Sequence, residues 1–272
     1  SPAPSDDFWY NPVPSVSSAG VNITPSKALS ISAVFSCVRV LAESLAQIPL
    51  LLYRRSPDGG KERAVDHPLY HVLHDQPNRR QTSFQFREMM MGHAALRGNA
   101  YAQIVPGPRG FADQLIPLHP DRMRTEMTEA GEVRYRYWLP DGRVQFFTAD
   151  QIFHISTLSD DGLEGLSLIT LARESMGLAR ATEEYGARFF GQGARPRGIL
   201  KHPGKLSPEA RTNLRESIKD NFEGLSQSHG TLVLEEGMEW AQLGLNNEDS
   251  QFLETRQFGV TEIARWFRLP PH

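Results

Sequence analysis

Between Ser167 and Phe267 the chain reads as a long helix rich in small residues, then a compact β-α-β-β module, then a second long helix. That order restricts the fold to two antiparallel helical pillars carrying a small domain at their tip. The first pillar is SLITLARESMGLARATEEYGARFFGQGA, in which Leu171, Leu178 and Tyr185 recur at seven-residue spacing. Small Ala172, Gly177, Ala179, Ala181, Gly186 and Ala187 flank them and allow a neighbouring helix to approach closely.

The module follows from local signals. RGILK is strand-like, Ser207-Pro208-Glu209 supplies an N-cap with Pro at the first helical position, and the helix through Leu214 and Ile218 ends near Gly224. TLVLE and MEWAQL then predict a hairpin around Glu236-Gly237. Asn247 caps the second pillar, with Phe252, Arg256, Val260, Ile263 and Phe267 along one side. Because Pro270-Pro271-His272 follows at once, nothing in the sequence covers Trp266 and Phe267, and a missing C-terminal region is the expectation.

Upstream of the pillars the pattern is mixed α and β. Residues 1–26 carry Pro2, Pro4, Pro12, Pro14 and Pro25 and read as a flexible arm, with Phe8, Trp9 and Tyr10 as an aromatic cluster able to dock. A helix with Val34, Cys37, Val38, Leu41, Leu45 and Ile48 on one face follows, closed by Pro49. LLLYRR reads as a strand ended by the Pro57-Asp58-Gly59-Gly60 turn. The Thr82-x-x-Gln85 capping box opens another helix, through Phe86, Met89, Met90 and Ala94 to Gly98, and YAQIV is the strand after it. From Gln114 to Ile155 short β segments succeed one another, predicting a mostly antiparallel sheet.

Composition narrows the function classes. With 39% hydrophobic and 22% charged residues the chain has ordinary globular composition. A net charge of -3 argues against nucleic-acid affinity through bulk positive charge. The single Cys37 excludes an intramolecular disulfide and points to a reducing compartment, and no apolar run is long enough to span a bilayer.

Candidate chemical sites are few. His67, His71 and His74 lie within about 60° of one another on a predicted short helix, a ligand-like spacing that would serve a metal-dependent nucleic-acid-processing enzyme. No fourth ligand accompanies them, and an exposed polar face is the plainer reading. Gly191-x-Gly193 follows a helix rather than a strand, unlike a nucleotide loop. Asp160-Asp161 reads as a turn, and His154, alternating in a strand, as a structural histidine. No nucleophile elbow, Walker loop, zinc-protease motif or paired-cysteine motif occurs, so no enzyme and no cofactor is expected.

Taken in order, several stretches are specific together. They are ISAVFSCVRVLAESLAQIPLLLYRR, DHPLYHVLHDQPN, REMMMGHAALRGNAYAQI, LIPLHPDRM, DQIFHI, GLEGLSLITLA, EEYGARFFGQGARPRGIL, PGKLSPEA, DSQFLETRQF and EIARWFRLPPH. Through them the chain resembles the HK97-type family of tailed-phage portal proteins from about Ser30 onward.

The resemblance implies an α+β subunit with a mixed α/β wing, a two-helix stem and a small β-α-β-β clip between the stem helices. The arm would be 1–26, the wing 27–165, the first stem helix 166–194, the clip 195–246 and the second stem helix 247–272, with the C-terminal wing and crown absent. It further implies a homo-oligomeric ring, in virions of twelve copies, at one capsid vertex, assembled in the host cytoplasm. The ring would pass double-stranded DNA without sequence specificity and would dock terminase, head-tail adaptor and capsid proteins. Clip residues Arg195, Arg197, Lys201, His202, Lys205 and Arg211 would form a basic docking surface. Stem residues Leu171, Leu178, Ala179, Tyr185, Gly186 and Ala187 would contact neighbouring subunits. Another phage scaffold or adaptor protein would lack the helix-module-helix order.

Overall fold

The computed structural model describes residues 16–191, 198–201, 211–212, 239–242 and 247–271. The chain forms two compact units, one of residues 1–177 and 261–272 and the other of residues 178–260.

In the first unit the chain enters through α1 (Pro25–Leu29) and α2 (Ser32–Ala46), followed by the hairpin β1 (Tyr53–Arg55) and β2 (Lys61–Arg63). Helices α3 (Pro68–His74) and α4 (Ser83–Arg97) come next. Thr82 and Gln85 form the expected capping box, and Gly98 ends α4 in the left-handed region at φ 79°. A side chain there would be strained and would overlap the carbonyl oxygens of Gly165 and Leu166. Arg87 binds α4 to two other helix ends, donating to the carbonyl oxygen of Ala46 at 2.7 Å and of Leu73 at 3.4 Å.

Two antiparallel sheets follow. The first has the order β4-β3-β8, with β3 (Asn99–Pro106) paired to β4 (Ala112–Leu118) and β8 (Ile152–Ser156). The second, β5-β6-β7, joins β5 (Met123–Met127), β6 (Val133–Trp138) and β7 (Val144–Thr148). Alternation along β3 explains the layering. Ala100 and Ala102 are buried with Val72, Phe86, Met90, Ala94 and Leu115 in one cluster. Tyr101 enters a second cluster with Leu118, Met123, Tyr135, Tyr137, Phe147 and Ile152. Strand β3 is therefore covered on both faces, and its first four residues are all buried.

The first unit also contains α5 (Leu168–Leu171) and the beginning of α6 (Arg173–Gly191). It further contains the end of α7 (Asn247–Trp266). In the second unit β9 (Gly198–Lys201) pairs antiparallel with β10 (Glu239–Gln242), Glu239 opposite Lys201. The expected TLVLE strand and the helix through Leu214 and Ile218 lie outside the described residues.

Several expectations require correction. Residues 16–26 of the arm read over 1–26 are structured: Val16 bridges Asn22, Ile23 is buried and α1 begins at Pro25. The Phe8-Trp9-Tyr10 cluster lies outside the described residues. Leu45 and Ile48 are 42% and 61% exposed, because α2 buries Ala42 and Ala46 instead and small side chains seat it against α4. The strand predicted over LLLYRR shortens to Tyr53–Arg55. The first pillar is interrupted at Ala172, whose φ -90° and ψ 12° are not helical, so α5 and α6 are separate. Phe267 is covered, only 5% exposed, and Trp266 donates its indole N–H to the Ser175 hydroxyl at 3.2 Å. Trp266 itself stays 39% exposed.

Candidate subunit and docking interfaces

The beginning of the first pillar is held by a lock built on Asn99 and Gly165. Asn99 Oδ1 accepts the Gly165 N–H at 2.7 Å, and its amide donates to the Gly165 carbonyl at 2.8 Å. The same Oδ1 lies 3.0 Å from His154 Nε2, while His154 Nδ1 lies 3.2 Å from the Tyr135 hydroxyl. Since Oδ1 can only accept, this network assigns the proton to Nε2 and leaves Nδ1 to accept from Tyr135. His154 also stacks on Tyr101, with centroids 4.4 Å apart. It is the structural histidine that its strand setting predicted.

Burial pushes the His154 pKa down from 6.5 to about 4. His93 moves down to about 4 by burial and then by the nearby Arg97 and His119. Folding therefore favours the neutral rings, and the unfolded chain takes up protons first. Their contribution to stability is complete above pH 6.5 and is lost as pH falls from there toward about 4. The melting temperature is expected to decline across that window, and the decline should be smaller in His154→Gln. An identical pH profile in that variant would refute the assignment.

Beside the lock a cavity of about 360 Å³ is lined by Arg97, Asp121, Arg124 and Glu164 among others. Arg97 holds Asp121 in a fork at 2.6 and 3.0 Å, and Arg124 lies 3.8 Å from Glu164. Asp161 accepts the backbone N–H groups of Leu163 at 2.7 Å and Glu164 at 3.1 Å, the turn role expected of the Asp160-Asp161 pair.

The three candidate metal histidines do not share a helix face. His67 precedes α3 as its N-cap and accepts the Leu69 N–H at 3.2 Å. His71 and His74 both turn to Asp75, at 3.0 and 2.6 Å, and His74 stacks on Tyr70. Among the described residues no group of three or more His, Cys, Asp or Glu could hold a metal ion.

The stem positions divide into two sets. Leu171, Leu178 and Tyr185 are about half exposed, at 49%, 46% and 48%. Ala187 is exposed, Ala179 is half-buried and Gly186 is buried. Leu178 and Tyr185 repeat along α6, whereas Leu171 lies beyond the interruption at Ala172. Gly177 is small for an intramolecular reason: a methyl group there would overlap the side chain of Ser17, and Glu174 accepts the Ser18 N–H at 2.9 Å. Sequence spacing could not separate that role from subunit contact. Of the basic clip residues, Lys201 and Arg211 are exposed, while Arg195, Arg197, His202 and Lys205 lie outside the described residues.

Among the described residues no helix is long and apolar enough to cross a membrane. Comparison with known proteins gives these surfaces a context. A family model for phage portal proteins matches residues 32–272. The chain belongs to that family.

The portal relatives include the probable portal protein of Streptomyces phage phiC31, 33% identical over 99% of this chain and 60% of its own length. The portal protein of Enterobacteria phage HK97 is 31% identical over 92% of this chain and 59% of its own length. The chain thus spans about 60% of these curated relatives. Among solved structures, a chain in the neck of an empty gene transfer agent particle with C6 symmetry matches at TM-score 0.70 and 26% identity, covering 90% of this chain and 68% of that one. The neck of a native particle with C12 symmetry matches at TM-score 0.64 and 25% identity, covering 91% and 69%. An HK97 family portal protein from Corynebacterium diphtheriae shares the fold at TM-score 0.57 and 19% identity, covering 91% and 77%. These portal likenesses agree with the mixed α and β architecture.

Proposed function

We propose that this chain is the body of a portal subunit: part of a ring at one capsid vertex that conducts double-stranded DNA during packaging and ejection. In this reading residues 27–165 are wing, 166–194 and 247–272 are stem helices, and 195–246 are a clip that docks terminase and head-tail adaptor proteins. The ring assembles in the host cytoplasm and remains in the virion, seated against capsid protein. The observation that carries the reading is the family match over 32–272, joined to likeness at TM-score 0.70 with a particle-neck chain in a cyclic assembly. The net charge of -3 suits a conduit, since a strongly basic lumen would hold phosphates by counterion release and slow their passage.

The test is mass measurement and negative-stain imaging of the protein expressed from its complete reading frame. A ring of about twelve subunits with a narrowed stem is expected, in line with the C12 neck. A full-length protein that stays monomeric at every concentration would overturn the reading.

Two variants refine it. Ala179→Leu combined with Ala187→Trp is expected to lower the oligomer mass, because side-by-side stem helices approach through small residues. An unchanged ring would remove these positions from the interface. Arg197→Glu with Lys201→Glu should impair DNA packaging and leave ring mass unaltered; normal packaging would discard the basic clip as a docking surface.

A further inference from the structure

The two edges of the β5-β6-β7 sheet are finished differently. Leu139 N–H bonds the Arg143 carbonyl at 2.8 Å, and Thr128 N–H bonds the Glu132 carbonyl at 2.8 Å. With the observed pairing, these turn bonds aim the backbone groups of Arg134 and Arg136 at β5 and those of Tyr135 and Tyr137 at β7. The groups facing outward are then those of Met123, Thr125 and Met127 on β5 and of Val144, Phe146 and Thr148 on β7. On the β5 side the Met123 N–H bonds the Pro120 carbonyl, and Glu164, from the turn after β8, accepts the Thr125 N–H at 2.6 Å, covering that edge as far as Thr125. On the β7 side Gln151 accepts the Thr148 N–H at 3.1 Å. Val144 and Phe146 have no comparable cover among the described residues, and their side chains are 43% and 52% exposed. A strand edge without proline, lysine or bulge is a template for another chain.

The outer face of this sheet is cationic and aromatic. Arg134 lies over the Phe146 ring at 4.7 Å and Arg136 over Trp138 at 5.1 Å. Arg124 is directly opposite Arg136, and both Arg134 and Arg136 turn to the single carboxylate Glu126. Arginine beside aromatic rings is the composition of interface hot spots, and three arginines share the two carboxylates Glu126 and Glu164, which leaves this face net positive toward an incoming anion.

The complement lies on the opposite side of the same sheet. In the turn that covers Thr125 on the β5 edge, Leu158 is 78% exposed, and Asp160 and Asp161 face solvent beside it. This turn is already rigid: Leu166 N–H bonds the Leu158 carbonyl at 2.7 Å, and Asp161 holds the amides of Leu163 and Glu164. Docking it costs little ordering entropy. Two unlike patches at opposite edges of one sheet make a head-to-tail contact, the kind that closes into a ring.

We infer that the Leu158–Asp161 turn of one copy docks on the open β7 edge and the Arg134–Arg136–Phe146 face of the next copy, an inference that rests on the ring reading above. Leu158 packs against Val144 and Phe146, and Asp160 meets the arginines.

The test uses full-length protein carrying Cys37→Ala, so that introduced thiols are the only ones within residues 1–272, with Leu158→Cys and Phe146→Cys together or singly. On oxidation the double variant is expected to give a ladder of covalent species running past the dimer, which neither single variant gives. A ring of normal mass with no ladder, or with cross-linking that stops at dimers, overturns the head-to-tail contact and leaves the portal reading intact. Failure of the parent to form any ring overturns the portal reading and this inference with it. A charge exchange supplies a second measurement: Asp160→Arg should reduce ring yield, and adding Arg134→Asp should restore it. No restoration in protein that still melts normally counts against the pairing.

Discussion

Gly165→Ala is expected to produce a large loss of stability. The added carbon would overlap the Gly98 carbonyl oxygen and lie 2.7 Å from the Thr157 backbone nitrogen. Neither obstacle can rotate away, because Thr157 N–H is itself bonded to the Gly98 carbonyl at 2.8 Å. Relief requires parting the end of β8 from the end of α4, and overpacking against backbone of this kind costs about 3 kcal/mol or more. For a body of this size that corresponds to a fall of roughly 10 °C in melting temperature, read by circular dichroism or calorimetry. A variant melting within a degree or two of wild type would show that the approach of Gly98 to Gly165 is not required.

Asn99→Leu keeps volume and removes every bond of the lock. The Gly165 N–H and carbonyl lose their partners in a buried setting, and His154 Nε2 loses its acceptor. Each orphaned buried group costs about 1–3 kcal/mol, so a loss of about 3–5 kcal/mol is expected for the set. Because leucine removes the acceptor at Nε2 and makes the setting more apolar, the His154 imidazole should also become harder to protonate. The variant is expected to melt early and to show an altered acid limb in its stability profile. Unchanged stability would mean that water replaces the asparagine at no cost.

These predictions rest on residues that were not visible as a site beforehand. Thr82, Gln85 and Gly98 could be read as helix boundaries because capping box and left-handed C-cap are local chemistry, satisfied within a few residues of chain. Local chemistry likewise makes the turn between β6 and β7, where Gly142 adopts φ 83°. Family membership was legible too, since many short stretches in a set order identify a portal protein even when none suffices alone. Asn99 was not legible, because its partners lie 55 and 66 residues away and no local pattern marks them.

The histidines show the limit from the other side. Spacing placed His67, His71 and His74 on one helical face, but spacing assumes a helix where His67 is in fact the cap in front of it. Leu45 and Ile48 fail for a related reason: periodicity predicts which side of a helix is apolar, and the packing partner decides which part of that side is covered.

By itself, then, the sequence determined the succession of helices and strands, their caps and turns, and membership of the portal family, because each depends on neighbours in the chain or on an ordered set of short motifs. Only the tertiary structure decided that β3 is buried on both faces, that Asn99 binds Gly165, that Gly177 makes room for Ser17, and that Glu164 covers Thr125 on β5 while Val144 and Phe146 on β7 stay exposed. Those are contacts between segments distant in sequence, and their energies depend on shape and on hydrogen-bond direction, which no local pattern encodes.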